Sequence, residues 1–193
     1  MKEKGKKGCS EGCRTSVLAA AGVLLLVFAA FALVPATAQA AVEVRVDAPE
    51  YVDVEETSFV ATIVVDSVTD LNSAQFDLSF DKSVLEVTGV EDGELDGETV
   101  PIVRWVLNPD KDAVRVIVVL PIGEGVSGSG YLAEIEFEVK GEEGETSELK
   151  FSGELELTNL SDKDIPAEWI NATITIGQPP SEDGGEEEEE LKT

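Results

Sequence analysis

The stretch that decides the fold is AQFDLSFDKSVLEVTGV, residues 74–90. Apolar and polar side chains alternate along its first half. The apolar positions are Ala74, Phe76, Leu78 and Phe80. The polar positions are Ser73, which directly precedes the stretch, and Gln75, Asp77 and Ser79. Because successive side chains of a β-strand point to opposite faces, this pattern predicts a half-buried strand. Asp81 then leads a turn, and Val84, Leu85 and Val87 begin a second strand.

The same period-two pattern continues through most of the chain after residue 40. Further alternating runs occupy residues 42–47, 58–68, 100–107, 113–122, 130–140, 147–160 and 169–177. Residues 108–112, Asn-Pro-Asp-Lys-Asp, are a strong turn signal between two of these runs. About nine strands at this spacing predict an all-β sandwich or jelly roll. A parallel α/β fold would need crossover helices, and no helical period supplies them.

Two of the later runs carry specific predictions about which side chains face the core. In residues 130–140 we expect Ala133, Ile135, Phe137 and Val139 to point inward, and Leu132, Glu134, Glu136 and Glu138 to point outward. In residues 169–177 we expect Ile170, Ala172, Ile174 and Ile176 to point inward, in one closing strand.

The two ends of the chain differ in composition from the middle. Residues 1–40 combine a basic start, the uncharged apolar run 17–34 and a small-residue end, which is typical of a secretory signal cleaved after Ala40. The alternative is a retained membrane anchor, and both predict an extracellular or cell-surface location, with membrane contact only through residues 17–34. The domain then spans residues 41–177. Residues 178–193, with paired prolines, paired glycines and five successive glutamates, predict a disordered acidic tail.

The charge of the exported part restricts its partners. After residue 40 lie 9 of the 14 basic and 38 of the 40 acidic residues, a net charge of −29 against −26 for the whole chain. Phosphate groups would be repelled, which argues against nucleic acid and anionic membranes. A cationic partner, divalent ions or an ordinary solvated acidic surface all remain compatible with this charge.

Most catalytic chemistry is excluded by composition. The chain has no histidine, and Cys9 and Cys13 both precede the apolar run, so the exported part has no cysteine. Serine and cysteine triads and histidine-metal sites are therefore excluded, and so is a disulfide scaffold. Acidic residues are abundant, but no pair is distinguished as a catalytic pair. We expect a non-enzymatic protein.

Two smaller motifs suggest ion binding and glycosylation. Asp92, Glu94 and Asp96 alternate oxygen ligands with glycines and are candidate calcium ligands, although their spacing matches no complete calcium loop and a solvated turn explains them too. Asn159 and Asn171 each begin an N-x-[ST] sequon and are candidate glycosylation sites, with chance occurrence as the alternative.

Two signatures in the chain resemble those of cohesin domains, the modules of cellulosomal scaffolding proteins. The first runs through Phe80-Asp81, then residues 84–87, Val-Leu-Glu-Val, and then Gly93. The second is residues 128–139, a glycine followed by small-apolar alternation and a phenylalanine-containing strand. Residues 169–177 are similar to the last strand of the family, so the resemblance covers about residues 42–177.

This resemblance implies a nine-stranded jelly-roll sandwich with a binding function. Cohesins hold dockerins, small calcium-loaded helical modules of other exported proteins, on one flat sheet face. The candidate partner-binding residues are Ser73, Gln75, Asp77, Ser79, Arg115, Ile117, Val119, Glu134 and Glu136. The sequence departs from the best-known cohesins at Ser73 and Gln75, where they carry Asn and Asp. No cofactor of its own is implied, and calcium would belong to the partner.

Two alternatives to dockerin binding stay open. The fold is shared with carbohydrate-binding modules, so polysaccharide is one alternative partner, and a structural cell-surface domain is the other. Flat polysaccharide platforms need several coplanar exposed aromatic rings. Besides its phenylalanines the exported part has only Tyr51, Trp105, Tyr131 and Trp169, which favours a protein partner.

Overall fold

The computed structural model describes residues 41–108 and 110–180, and every regular element in them is a β-strand. The strands are β1 (Val42–Asp47), β2 (Tyr51–Val52), β3 (Ser58–Ser79), β4 (Leu85–Leu95), β5 (Glu98–Val100), β6 (Ile102–Asn108), β7 (Ala113–Val119), β8 (Val126–Val139), β9 (Thr146–Asn159), β10 (Ala167–Ile170) and β11 (Ala172–Ile176). The predicted all-β class is confirmed. Over the described ranges no helix has the length and apolar character to cross a membrane. The predicted signal or anchor lies outside the described residues, as does all of the acidic tail beyond residue 180.

A single long strand, β3, organises the sandwich. Residues 58–65 of β3 pair with β8, and residues 62–65 also pair with β1, whereas residues 73–79 pair with β7 and β9. The strand therefore belongs to one layer in its first half and to the other layer in its second half. One layer runs β10–β1–β3–β8–β4–β5 and the other runs β6–β7–β3–β9–β11–β2. We refer to them as the β8 layer and the β7 layer.

The core between the layers is formed by the alternation that the sequence predicts. All four apolar positions of the opening stretch, from Ala74 to Phe80, are buried, as are Val84, Leu85 and Val87. Phe137 stacks on Phe59 with ring centroids 5.3 Å apart and meets Phe80 edge-on at 5.4 Å. A second aromatic cluster, Phe76, Phe151 and Trp169, lies beneath the second half of β3. These rings give both layers a stiff, well-packed interior.

Two predictions about side-chain direction are wrong, one because a strand contains a bulge and the other because the chain changes layer. Ile63 pairs with Ala133 but Val64 pairs with Tyr131, so Leu132 is an extra residue in β8 and is buried beside Ala133 rather than exposed. The closing segment is two strands, since β10 pairs with β1 in the β8 layer and β11 pairs with β9 in the β7 layer. The alternation breaks at this change of layer, and Ile170 is 38 % exposed.

Gly93 is required by the close approach of β4 and β8. A Cβ atom at this position would lie 2.6 Å from the carbonyl oxygen of Leu132, and a backbone atom in a central strand cannot move aside cheaply. We expect Gly93→Ala to lower the free energy of unfolding by about 3 kcal/mol, measured by urea denaturation.

A matched control for Gly93→Ala lies on the same strand. A Cβ at Gly89 would crowd only the side chain of Glu136, whose end can swing away. Gly89→Ala should therefore change the free energy of unfolding by less than about 0.5 kcal/mol. Equal effects of the two substitutions would show that backbone crowding at Gly93 does not limit stability.

Candidate functional site

The second half of β3 and the neighbouring β7 bring seven of the nine predicted binding residues onto one surface. Ser73 lies opposite Val119, Gln75 opposite Ile117, and Asp77 opposite Arg115. Side chains directly opposite each other in an antiparallel pair point to the same face. The surface comprises the outer sides of β6, β7, the second half of β3 and β9, and is termed the candidate face. Its predicted members are Ser73, Gln75, Asp77, Ser79, Arg115, Ile117 and Val119.

Glu134 and Glu136 do not belong to the candidate face. They lie on β8, where they pair with Thr62 and Val60 in the first half of β3. Their strand belongs to the β8 layer, so the prediction that they share a surface with Gln75 and Arg115 is wrong. The alternation of residues 130–140 identifies an outward-facing strand but carries no information on which layer receives it.

Asp77 is on the candidate face but is not accessible on it. Its side chain is 1 % exposed, because Arg115 covers it and holds both of its oxygens. The Arg115 Nε donates to Oδ1 at 2.5 Å and Nη2 donates to Oδ2 at 2.9 Å. The carboxylate raises the pKa of the Arg115 guanidinium through these hydrogen bonds and its charge. Asp77 thus positions Arg115, whose side chain remains 34 % exposed.

Gly153 on β9 makes room for this ion pair. It has a φ of +72°, which favours glycine, and a Cβ there would lie 2.9 Å from the carboxyl carbon of Asp77. The neighbouring pairing is irregular, because Gln75 pairs with Glu156 and Asp77 pairs with Ser152. The bulge on β9 therefore accommodates the Asp77 carboxylate beneath the surface.

The other polar side chains of β3 are bonded to β9 rather than left in water. The Gln75 Nε2 donates to the Glu154 carboxylate at 3.1 Å, and the Ser79 hydroxyl donates to the Lys150 carbonyl at 3.0 Å. The Ser73 hydroxyl makes a short hydrogen bond with the Thr158 hydroxyl. These contacts fix the side chains of the strand in one arrangement. The sequence pattern predicts a polar face but not that β9 lies beside it.

β6 adds exposed apolar residues that the sequence predictions do not include. Among the strands that the structure describes it pairs only with β7, and Val106 and Arg104 lie opposite Arg115 and Ile117. Val106 is 39 % exposed, and Val119 on β7 is 42 % exposed. A shallow depression here is lined by Arg104, Val106, Leu107, Asn108, Lys111, Arg115 and Ile117. The alternation of residues 100–107 could have indicated Arg104 and Val106 as one face, but not their position next to β7.

The calcium candidates are not gathered into a site. The Asp92 Oδ1 accepts a hydrogen bond from the Ile102 backbone at 2.7 Å, and the Asp96 Oδ1 accepts one from Ser129. No group of three or more acidic, histidine or cysteine side chains suited to a metal occurs in residues 41–108 or 110–180. The candidate calcium ligands Asp92, Glu94 and Asp96 therefore have no geometric support as a site.

The side chains of both sequon asparagines accept hydrogen bonds from backbone N–H groups. The Asn159 Oδ1 accepts hydrogen bonds from Ser161 and Lys163 in the turn after β9. Asn171 is exposed, and its Oδ1 accepts a hydrogen bond from the Phe151 backbone N–H at 3.0 Å, at the point where the chain changes layer. Glycosylation of these residues stays a prediction.

Aromatic side chains are scarce on the surface of the described residues. All five phenylalanines from Phe59 to Phe151 are buried, and Trp169 belongs to the second aromatic cluster, with its ring centroid 4.9 Å from that of Phe151. Among the large hydrophobic residues of the described ranges that are exposed, Trp105 at 38 % is the only aromatic one. This surface does not supply the row of coplanar rings that stacks on a polysaccharide.

Comparisons with known proteins agree on one family. The family model for the cohesin domain matches residues 42–176. A comparison with curated protein sequences finds no match. Among solved structures, a non-cellulosomal cohesin from the archaeon Archaeoglobus fulgidus is 19 % identical, with a TM-score of 0.59, over 72 % of this chain and 93 % of that one.

Two further similar structures are cohesin–dockerin complexes. In the Coh-OlpC–Doc435 complex from Clostridium thermocellum, the matched chain is 20 % identical with a TM-score of 0.59, over 74 % of this chain and 97 % of that one. The third cohesin of ScaC from Acetivibrio cellulolyticus, in complex with the ScaB dockerin, is 14 % identical with a TM-score of 0.60, over 71 % and 99 % of the two chains. The TM-scores show the shared fold, and the family match over residues 42–176 leads to one conclusion: this chain belongs to the cohesin domain family.

Proposed function

We propose that this chain is a non-catalytic binding module that holds a dockerin-bearing protein on its candidate face. The observation that carries the proposal is the composition of that face on a cohesin fold. Exposed Val106 and Val119 and half-buried Ile117 form an apolar centre, and charged side chains surround it. An apolar centre within a polar rim is the usual anatomy of a protein–protein interface.

The rigidity of the candidate face supports the same function. Gln75, Asp77 and Ser79 are each held by a partner within the domain, so their positions are set before any ligand arrives. A surface ordered in advance loses less conformational entropy on binding, which favours affinity and selectivity. The similar structures from Clostridium thermocellum and Acetivibrio cellulolyticus are complexes with dockerins, which supports a dockerin as the class of partner.

We place the module outside the cell or at its surface. The support is the sequence of residues 1–40, which has the features of a secretory signal or anchor. Assembly of enzymes for polysaccharide degradation is one setting for such a module. It is not the only one for this fold, since the similar archaeal cohesin is described as non-cellulosomal.

The test is a titration of the exported domain, residues 41–193, with the dockerin modules encoded by the source genome. Isothermal titration calorimetry in a buffer that contains calcium should give a Kd in the micromolar range or tighter for at least one of them. A chelator should abolish the binding, because the dockerin needs its calcium. Retention on insoluble polysaccharide is measured in parallel. Retention without any dockerin binding would replace the proposal by carbohydrate binding, and a genome without dockerins would favour a structural surface domain.

A further inference from the structure

The candidate face has a cationic region in a strongly acidic protein. The chain has 14 basic against 40 acidic residues, and only eight of the basic residues lie in the described ranges. Three of these eight, Arg104, Lys111 and Arg115, line the same shallow depression beside β6 and β7. On a surface with this excess of carboxylates, so many cations beside one depression indicate a specific electrostatic preference.

Two of these three cations have no carboxylate of their own. Within the described residues, Arg45, Lys82 and Lys140 each form ion pairs with nearby acids. Arg104 and Lys111 are exposed and form none in the same ranges.

Arg115 supplies a fixed cation at the edge of the same depression. Its Nε and one Nη2 proton are bonded to Asp77, and a guanidinium has five N–H donors, so the remaining donors are available to another acceptor. The buried carboxylate prevents the side chain from moving freely. A guanidinium fixed in advance binds a carboxylate at a lower entropic cost than a mobile one.

We propose that the partner inserts an acidic side chain, flanked by apolar ones, into the depression formed by Arg104, Lys111 and Arg115. This inference rests on the proposed dockerin binding and specifies which dockerins the face accepts. The apolar part of the contact is provided by Val106, Leu107 and Ile117, which line the same depression. A nucleic acid would meet the same cations, but the net charge of −26 opposes a phosphate backbone.

The rest of the candidate face determines how charge must be distributed on the partner. Glu154 and Glu156 lie on β9, on the other side of β3 from the depression, and both are exposed. A uniformly acidic partner would be repelled there. The face therefore fits a partner with an acidic residue over the β6–β7 side and basic residues over β9, and this arrangement sets one orientation of the complex.

The test is selection from a display library built on the Doc435 dockerin module, with the exposed positions of its helices randomised. Binders are selected with the wild-type domain, with the Arg104→Glu/Lys111→Glu variant and with the Arg45→Glu/Lys163→Glu variant. The last is a matched control, because it changes the net charge equally at β1 and at the turn after β9, away from the depression. Circular dichroism verifies that all three domains are folded.

The wild type and the control should enrich Asp or Glu at one common dockerin position, and the Arg104→Glu/Lys111→Glu variant should enrich Lys or Arg there. A binder selected by the wild type should lose at least tenfold in affinity for that variant and regain it when its own carboxylate is changed to lysine. Binders without a charge preference, or the same preference with all three domains, would overturn this inference and leave dockerin binding intact. A library that yields no binder to any of the three would overturn both.

Discussion

Arg115→Leu is expected to lower the free energy of unfolding by about 3–5 kcal/mol, because it leaves a buried carboxylate without its counter-charge. Asp77 is 1 % exposed, and both of its oxygens accept hydrogen bonds from Arg115. Leucine fills part of the space of the arginine stem but donates nothing to the carboxylate. Urea denaturation followed by circular dichroism measures the loss. An m-value equal to that of the wild type would indicate that the substitution leaves the compactness of the native and unfolded states unchanged.

A substitution of the other member of the ion pair serves as the control. Asp77→Asn should cost only about 1–2 kcal/mol, because the side chain of Arg115 is 34 % exposed and can be hydrated when its partner loses charge. The double variant Asp77→Asn/Arg115→Leu should be more stable than Arg115→Leu alone, since it no longer buries a charge. If Arg115→Leu costs no more than Asp77→Asn, Asp77 is not held in the way described.

Phe76→Ala is expected to lower the free energy of unfolding by about 3–5 kcal/mol, because it removes one of the three rings of the aromatic cluster beneath the candidate face. The ring is fully buried, and its centroid lies 5.8 Å from that of Phe151 and 6.2 Å from that of Trp169. Removal of the ring leaves a cavity that a packed sandwich cannot close by small adjustments. The loss is measured by urea denaturation, with tryptophan fluorescence in a Trp105→Phe background, which leaves Trp169 as the reporter, as a second probe of the same cluster.

Phe76→Leu is the matched variant for this prediction. Leucine retains most of the apolar volume, so the cost should be below about 1.5 kcal/mol. Similar losses for the alanine and leucine variants would mean that the cavity is not the source of the effect. A large loss with unchanged Trp169 fluorescence would place the damage outside this cluster.

The sequence was sufficient to predict the fold class and the core face of the opening stretch. The alternation from Ala74 to Phe80 has a period of two, and a strand with that period must bury one side. The burial of Leu132 and the exposure of Ile170 could not be predicted in this way. A β-bulge in β8 and a change of layer at Asn171 each shift the alternation by one residue, and both are set by partner strands distant in sequence.

The candidate face was predicted only in part for a similar reason. The outward direction of Ser73, Gln75 and Ser79 follows from the pattern of their own strand. The burial of Asp77 follows from Arg115, which lies 38 positions away, and from the bulge at Gly153. Glu134 and Glu136 were assigned to the wrong layer, because alternation predicts whether a residue faces outward but not which sheet it belongs to.

The central claim is that the β7 layer, and not the β8 layer, binds the dockerin. Two double variants test it most directly, Ile117→Gln/Val119→Gln on β7 and Val60→Gln/Val64→Gln on β3. They are matched, because Val119 and Val60 are 42 % and 44 % exposed and Ile117 and Val64 are both half-buried. The measurement is the Kd of each for the dockerin that binds the wild-type domain. We predict at least a tenfold loss of affinity, about 1.4 kcal/mol, for the β7 variant. The β3 variant, whose substitutions lie in the half of β3 that belongs to the β8 layer, should keep wild-type affinity. Wild-type affinity of the β7 variant together with a loss in the β3 variant would contradict the account.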